Sequence, residues 1–293
     1  MRYKVTLFLL VFWPGLLFAK SQVVASGYPL AFFLGQLVGA DLEVINLTPP
    51  GVEPHQYQPG LKDLARSSGA KFLVYNSKED EPWAFRLAQE IERAGGQSLE
   101  LAQFFGTIKP PEPGHHHHGY DPHIWLDPRL SQQLAELLTQ RLAKLLPQET
   151  LTPRLKQVLA KLEGLDQSYQ VGLKNCQSRI LVSGHDAFGY LALAYNLETL
   201  PLHDLAAESR PGLKQMAETV RLIKTKKITA VFFEEMVSPR LSETLAQEAG
   251  VPLLGLYPLG NIGSNEVSAG LSYYPLMEKN LAQLTKGLKC QKP

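Results

Sequence analysis

The sequence predicts an α/β fold of two similar lobes, each with a parallel four-stranded sheet, joined by a long rigid linking helix. Three observations predict it. Short apolar runs alternate with stretches of helical periodicity, the pattern of parallel sheets covered by helices. The halves also match at a single offset. A shift of 158 positions lays Val24-Ala25-Ser26 on Val182-Ser183-Gly184, and Leu87-Ala88-Gln89-Glu90 on the identical Leu245-Ala246-Gln247-Glu248. Finally, Pro153–Lys174 carries an apolar stripe of Leu155, Val158, Leu159, Leu162, Leu165 and Tyr169 at helical spacing.

Taken in order, the chain starts with a basic Met1-Arg2-Tyr3-Lys4, an apolar run over Val5–Phe18 and a small residue at Ala19. That is the pattern of a cleaved secretory signal over residues 1–19, too short for a comfortable membrane span. With no cysteine near the cleavage point, the expected product is an exported protein that is not a lipoprotein. Strands are predicted at Gln22–Ser26, Leu42–Leu47, Lys71–Asn76 and Gln97–Leu101, with helices at Pro29–Val38 and Pro82–Ala94 between them. Residues 20–127 thus form an N-terminal lobe, and residues 128–176 carry linking helices. The first, Pro128–Leu146, buries Leu130, Leu134, Leu137, Leu138, Leu142 and Leu145. In the second, Thr152 is placed as N-cap and Pro153 at the first helical position. Residues 177–293 repeat the first pattern, with strands at Arg179–Ser183, Thr199–His203, Ile228–Phe233 and Pro252–Leu256 and helices at Leu213–Lys226 and Arg240–Ala249.

Composition limits the function. At 293 residues, 44% apolar and 19% charged, the chain has ample material for a buried core. A net charge of +1 becomes −1 once Arg2 and Lys4 leave with the signal, so neither nucleic acid nor an anionic membrane is an expected partner. Cys176 and Cys290 lack metal-knuckle spacing, and in an oxidising compartment they are candidates for a disulfide.

Histidine placement is the informative feature. Four of the eight, His115, His116, His117 and His118, are consecutive in a Pro/Gly-rich loop that serves as a candidate accessory metal loop. His203 reads as structural. Of the other three, His55 lies in the loop after the second strand, His123 ends the long loop after the fourth and His185 directly follows the fifth, all at the strand ends where open parallel sheets bind ligands. Three imidazoles form a borderline-soft nitrogen set that suits zinc better than manganese, magnesium or calcium.

The segments Pro54-His55-Gln56-Tyr57, His123-Ile124-Trp125-Leu126-Asp127-Pro128 and Gly184-His185-Asp186-Ala187-Phe188-Gly189-Tyr190 resemble those of metal-specific solute-binding proteins of ABC transporters, most closely the periplasmic zinc-uptake type. Ala230-Val231-Phe232-Phe233-Glu234-Glu235 adds to the resemblance, which covers the whole mature chain. It implies a metal held in the interlobe cleft by His55, His123 and His185, and delivery to the membrane permease of an ABC importer. The family often has aspartate in a Leu-Asp-Pro-Leu-Gly pattern, whereas this chain has Leu256-Tyr257-Pro258-Leu259-Gly260. A phenol must lose about three pKa units to ionise near neutrality, so Tyr257 is a poor ligand. Water or Glu235 is expected in the fourth position, with Glu234 and Glu235 otherwise a solvated pair or one that orients an imidazole. A monomeric binding protein follows, with no enzymatic activity and no small organic substrate. The alternatives are an exported zinc hydrolase, since three histidines with an open position can activate water, or a metallochaperone without its own permease.

Overall fold

A computed structural model describes residues 20–108, 120–184, 187–201, 213–234 and 238–291. The export segment, the His115–His118 tract and His203 lie outside the described residues, as do His185 and Glu235. The first sheet contains β1 (Gln22–Ala25), β2 (Glu43–Asn46), β3 (Phe72–Tyr75) and β4 (Gln97–Glu100). The second contains β5 (Ile180–Ser183), β6 (Glu198–Pro201), β7 (Val231–Glu234) and β8 (Leu253–Leu256). Strand order is β2-β1-β3-β4 in one and β6-β5-β7-β8 in the other, with every pairing parallel. The internal repeat is therefore a repeat of topology. β1 and β5 begin at the 158-residue offset, and the later strands drift by up to three residues.

The helices are α1 (Tyr28–Val38), α2 (Leu61–Ser67), α3 (Pro82–Arg93), α4 (Ala102–Phe105), α5 (Pro128–Leu142), α6 (Gln148–Gly172), α7 (Gly189–Ala194), α8 (Leu213–Thr225), α9 (Arg240–Ala249), α10 (Ser264–Ser268) and α11 (Tyr273–Gly287). Strand alternation sorts the core. Val23 and Ala25 of β1 face a large cluster shared with α1, α5, α6 and α11, whereas Val24 faces α3 through Leu87 and Ile91. Phe232 and Val231 divide in the same way in the second lobe. Each of these side chains is worth roughly 1.5–3 kcal/mol on burial, which explains why β1 and β3 read as continuous apolar runs. Among the described residues, no helix is long and apolar enough to cross a membrane.

Helix α5 ends at Leu142 rather than Leu146, ahead of Pro147, which caps the next helix, and two further boundaries differ from the sequence expectation for identifiable reasons. Helix α6 begins at Gln148, so Pro153 lies inside it and Thr152 is no N-cap. Pro153 removes only the hydrogen bond to the Glu149 carbonyl, on an exposed turn where water can replace it, while buried Leu151 anchors that turn to the core. Its 25 residues span about 37 Å, a strut packed on α5 and α1. Strand β7 begins at Val231, not Ile228. Lys227 adopts a left-handed φ of 52° and the Ile228 N–H donates to the Ile223 carbonyl at 3.0 Å, so Ile228 closes α8 before the strand starts.

Cys176 and Cys290 form a disulfide joining the chain just after α6 to the chain just after α11. Backbone bonds flank it, from the Ser178 N–H to the Leu288 carbonyl at 3.1 Å and from the Gln291 N–H to the Asn175 carbonyl at 2.8 Å.

Candidate metal centre

His55 sits in a single 3-10 turn, Pro54–Gln56, in the loop after β2. Proline opens the turn, and the Glu53 carboxylate accepts the His55 N–H at 3.3 Å, which caps it. The residue itself is exposed. His123 opens a second 3-10 turn, His123–Leu126, and is 1% exposed. The fold brings these distant histidines together, with ring centroids 5.4 Å apart and planes inclined at 55°.

The orientation of His123 is fixed from several sides. Asp121 Oδ1 lies 2.8 Å from His123 Nδ1 and also accepts the His123 N–H at 2.9 Å. A carboxylate only accepts, so the network assigns the ring proton to Nδ1 and the lone pair to Nε2. That carboxylate–imidazole pairing is the arrangement that orients and polarises a metal-binding histidine. Trp125 meets the ring edge-on at 5.4 Å, and its indole N–H donates to the Pro258 carbonyl at 2.8 Å. Asp127 then caps α5 by accepting the Arg129 N–H at 2.8 Å. The motif His-Ile-Trp-Leu-Asp-Pro is thus a turn welded to a helix start, with each polar residue given a partner. The Tyr190 hydroxyl, at the far end of the third motif, lies 2.9 Å from the Ile108 carbonyl and 3.2 Å from that of Asp121. It fastens α7 of the second lobe to the chain leading into His123.

Below this turn lies a group of acids. Burial raises the Asp80 carboxyl above its ordinary range, with His123 close enough to oppose the shift. Burial pushes Glu81 up to about 7, against hydrogen bonds from the Asn76 backbone at 2.7 Å and its side-chain amide at 3.2 Å. Burial likewise raises the Tyr120 phenol.

In the second lobe, Ser183 ends β5 and Gly184 leads to position 185. Glu234 ends β7 with 3% exposure, so it is not a solvated acid. A Cβ at Gly184 would stand 3.1 Å from Glu234 Oε1, so the carboxylate is packed against the turn entering His185. Tyr257 follows β8, with its N–H donating to Asn280 Oδ1 and its carbonyl accepting from Asn280 Nδ2, both at 2.8 Å. The Lys279 ammonium lies 5.8 Å from its ring centroid. Among the described residues no group of three histidine, cysteine or carboxylate side chains converges on one point.

Asp121 is the site residue that sequence reasoning missed. Its signal is local: Asp121-Pro122-His123 places an acceptor two residues before a turn, the spacing of an Asx turn. We expect Asp121→Ala to lower zinc affinity about 10- to 100-fold in a competition titration. Asp121→Asn, which keeps an acceptor, should lose less. Equal affinity in all three proteins would show that the contact does not orient a ligand.

The family described as zinc-uptake complex component A, periplasmic, matches residues 23–287. The chain is 33% identical over 277 residues to the zinc-binding lipoprotein AdcA of Streptococcus pneumoniae, covering 90% of this chain and 55% of that one. It therefore spans about half the length of that relative. It is 30% identical over 280 residues to the high-affinity zinc uptake system protein ZnuA of Bacillus subtilis, covering 92% and 88%. Among solved structures, the Zn(II)-bound ZnuA-like domain of S. pneumoniae AdcA is similar at a TM-score of 0.79 and 31% identity, covering 92% of this chain and 99% of that one. The metal-dependent lipoprotein YcdH of B. subtilis gives 0.80 and 31% with the same coverage. These relatives overturn one expectation, that the exported protein is not a lipoprotein. Sequences this similar belong to proteins named lipoproteins, so the lack of cysteine near Ala19 does not decide how the chain is held.

Proposed function

The chain belongs to the periplasmic zinc-uptake complex component A family, and from that membership we propose that it captures zinc between its lobes and delivers it to the membrane permease of an ABC importer. The family is one of zinc-binding transport components and not of enzymes. Zinc is cargo in this reading. His55, His123 and His185 hold it, with residues 20–127 and 177–293 supplying the two lobes and 128–176 the linking helices. An export signal at residues 1–19 belongs to the same proposal, because a receptor for an importer works outside the cytoplasm.

The observation that carries the reading is the 5.4 Å approach of the His55 and His123 rings, one of them buried and held by Asp121. Neutral imidazoles oriented this way favour zinc over harder, oxygen-seeking cations. The buried Glu234 packs beside Gly184, the residue before His185 in the chain, which supports including that lobe's end in the site. Glu235, Tyr257 or water completes the fourth position. The hydrolase and chaperone alternatives draw no support from the family.

Titration of the metal-stripped protein with zinc against a competing chelator tests the proposal. One zinc per chain should bind tightly, with manganese a weak competitor. Deleting His115–His118 should leave that site intact. Loss of tight binding on deletion would move the site to the tract and contradict the assignment.

A further inference from the structure

The loop after β8 contributes Tyr257 where a carboxylate ligand would suit a metal, yet it is built to reach across to the first lobe. Leu259 is fully buried with a left-handed φ of 61°, an uncommon conformation for a branched residue. Gly260 then passes so close that a Cβ there would stand 3.2 Å from Pro54 Cγ and 3.7 Å from Trp125 Cζ2. These two features deliver Asn261, which is 6% exposed, to the loop that precedes His55.

Asn261 turns both amide hydrogens to that loop. Nδ2 donates to the Pro49 carbonyl at 2.6 Å and to the Val52 carbonyl at 2.8 Å, while Oδ1 accepts the Ile262 N–H at 2.9 Å. The Gly51 N–H returns a bond to the Ile262 carbonyl at 2.9 Å, with Gly51 at a φ of 81° that suits glycine. The two carbonyls bracket the turn that leads through Glu53 and Pro54 to His55. The turn lies beyond β2, which ends at Asn46. The first lobe holds the start of this loop, where the Thr48 hydroxyl donates to the Ser26 carbonyl at 2.6 Å, and Asn261 holds its far side from the other lobe.

We infer that Asn261 is a positioning residue for His55, acting across the cleft through the Pro49 and Val52 carbonyls. The inference rests on His55 being a zinc ligand. Under it, the second lobe supports the metal site through a brace from its last loop as well as through any ligand of its own. The loss on breaking the brace resembles that of other contacts that orient a ligand.

A double-mutant cycle on the full chain tests this. Asn261→Asp keeps the shape and the acceptor for Ile262 but turns an oxygen toward the two carbonyls. It should weaken zinc binding about 10- to 100-fold, chiefly through faster dissociation. Asn261→Ser, smaller and free of that repulsion, should fall between it and the parent and serves if the aspartate variant does not fold. In a His55→Ala background the same changes should cost less than about twofold, because the residue they position is gone. Affinity unchanged in both Asn261 variants, or an equal penalty with and without His55, would overturn the brace. Undiminished tight binding in His55→Ala alone would instead overturn the ligand reading on which it rests.

Discussion

His123→Ala should abolish tight zinc capture if the proposed site is correct. Removing a contact that merely orients a ligand costs about 10- to 100-fold, so losing the ligand itself should cost at least about 100-fold. His123 is the least replaceable of the set. Its ring is buried, held by Asp121 at Nδ1 and flanked by Trp125. Truncation also leaves the buried Asp121 carboxylate without its ring partner, an additional cost of about 1–3 kcal/mol in stability. Competition titration and calorimetry read the two effects separately. Parent-like zinc affinity in a folded His123→Ala protein would contradict the site.

The second large effect is on stability. The Cys176–Cys290 bridge closes a loop with a sequence separation of 114. In the chain-entropy account such a loop is worth about 4–5 kcal/mol, and removal of native bridges costs about 2–5 kcal/mol. The bridge ties the strut's end to α11, and the flanking backbone bonds of Ser178 and Gln291 join the same two segments independently of the sulfurs. Replacing both cysteines by serine should therefore lower the melting temperature by about 10 °C while keeping the native circular-dichroism spectrum. A shift below about 2 °C would show that the denatured chain gains little freedom when the bridge is absent.

Much of this architecture is legible in the sequence because it depends on local pattern. Val23, Val24 and Ala25 announce a doubly buried strand, and the recurrence of such runs at one offset announces two sheets of the same order. Pro153 misleads because proline marks a helix start on average, whereas here the anchor of the first turn is Leu151, a matter of tertiary packing. The same division applies to the candidate site. His55 and His123 are marked by their places after strands, and the fold brings their rings together. Asp121 is hidden in an ordinary Asp-Pro step. Asn261 could not be found from sequence, because its partners Pro49 and Val52 lie in the opposite lobe, and the role of Tyr190, marked only as the end of a motif, depends on Ile108 across the same divide. Sequence leaves Glu234 open between a solvated acid and one that orients an imidazole, and only its burial at the end of β7 against Gly184 excludes the first.

The most direct measurement is zinc K-edge X-ray absorption on the zinc-loaded protein from which His115–His118 have been deleted. The account predicts about three imidazole nitrogens at about 2.0–2.1 Å, with one further light ligand completing a tetrahedral shell. An oxygen-dominated shell, or one with fewer than two imidazoles, would contradict the claim that His55, His123 and His185 hold the metal.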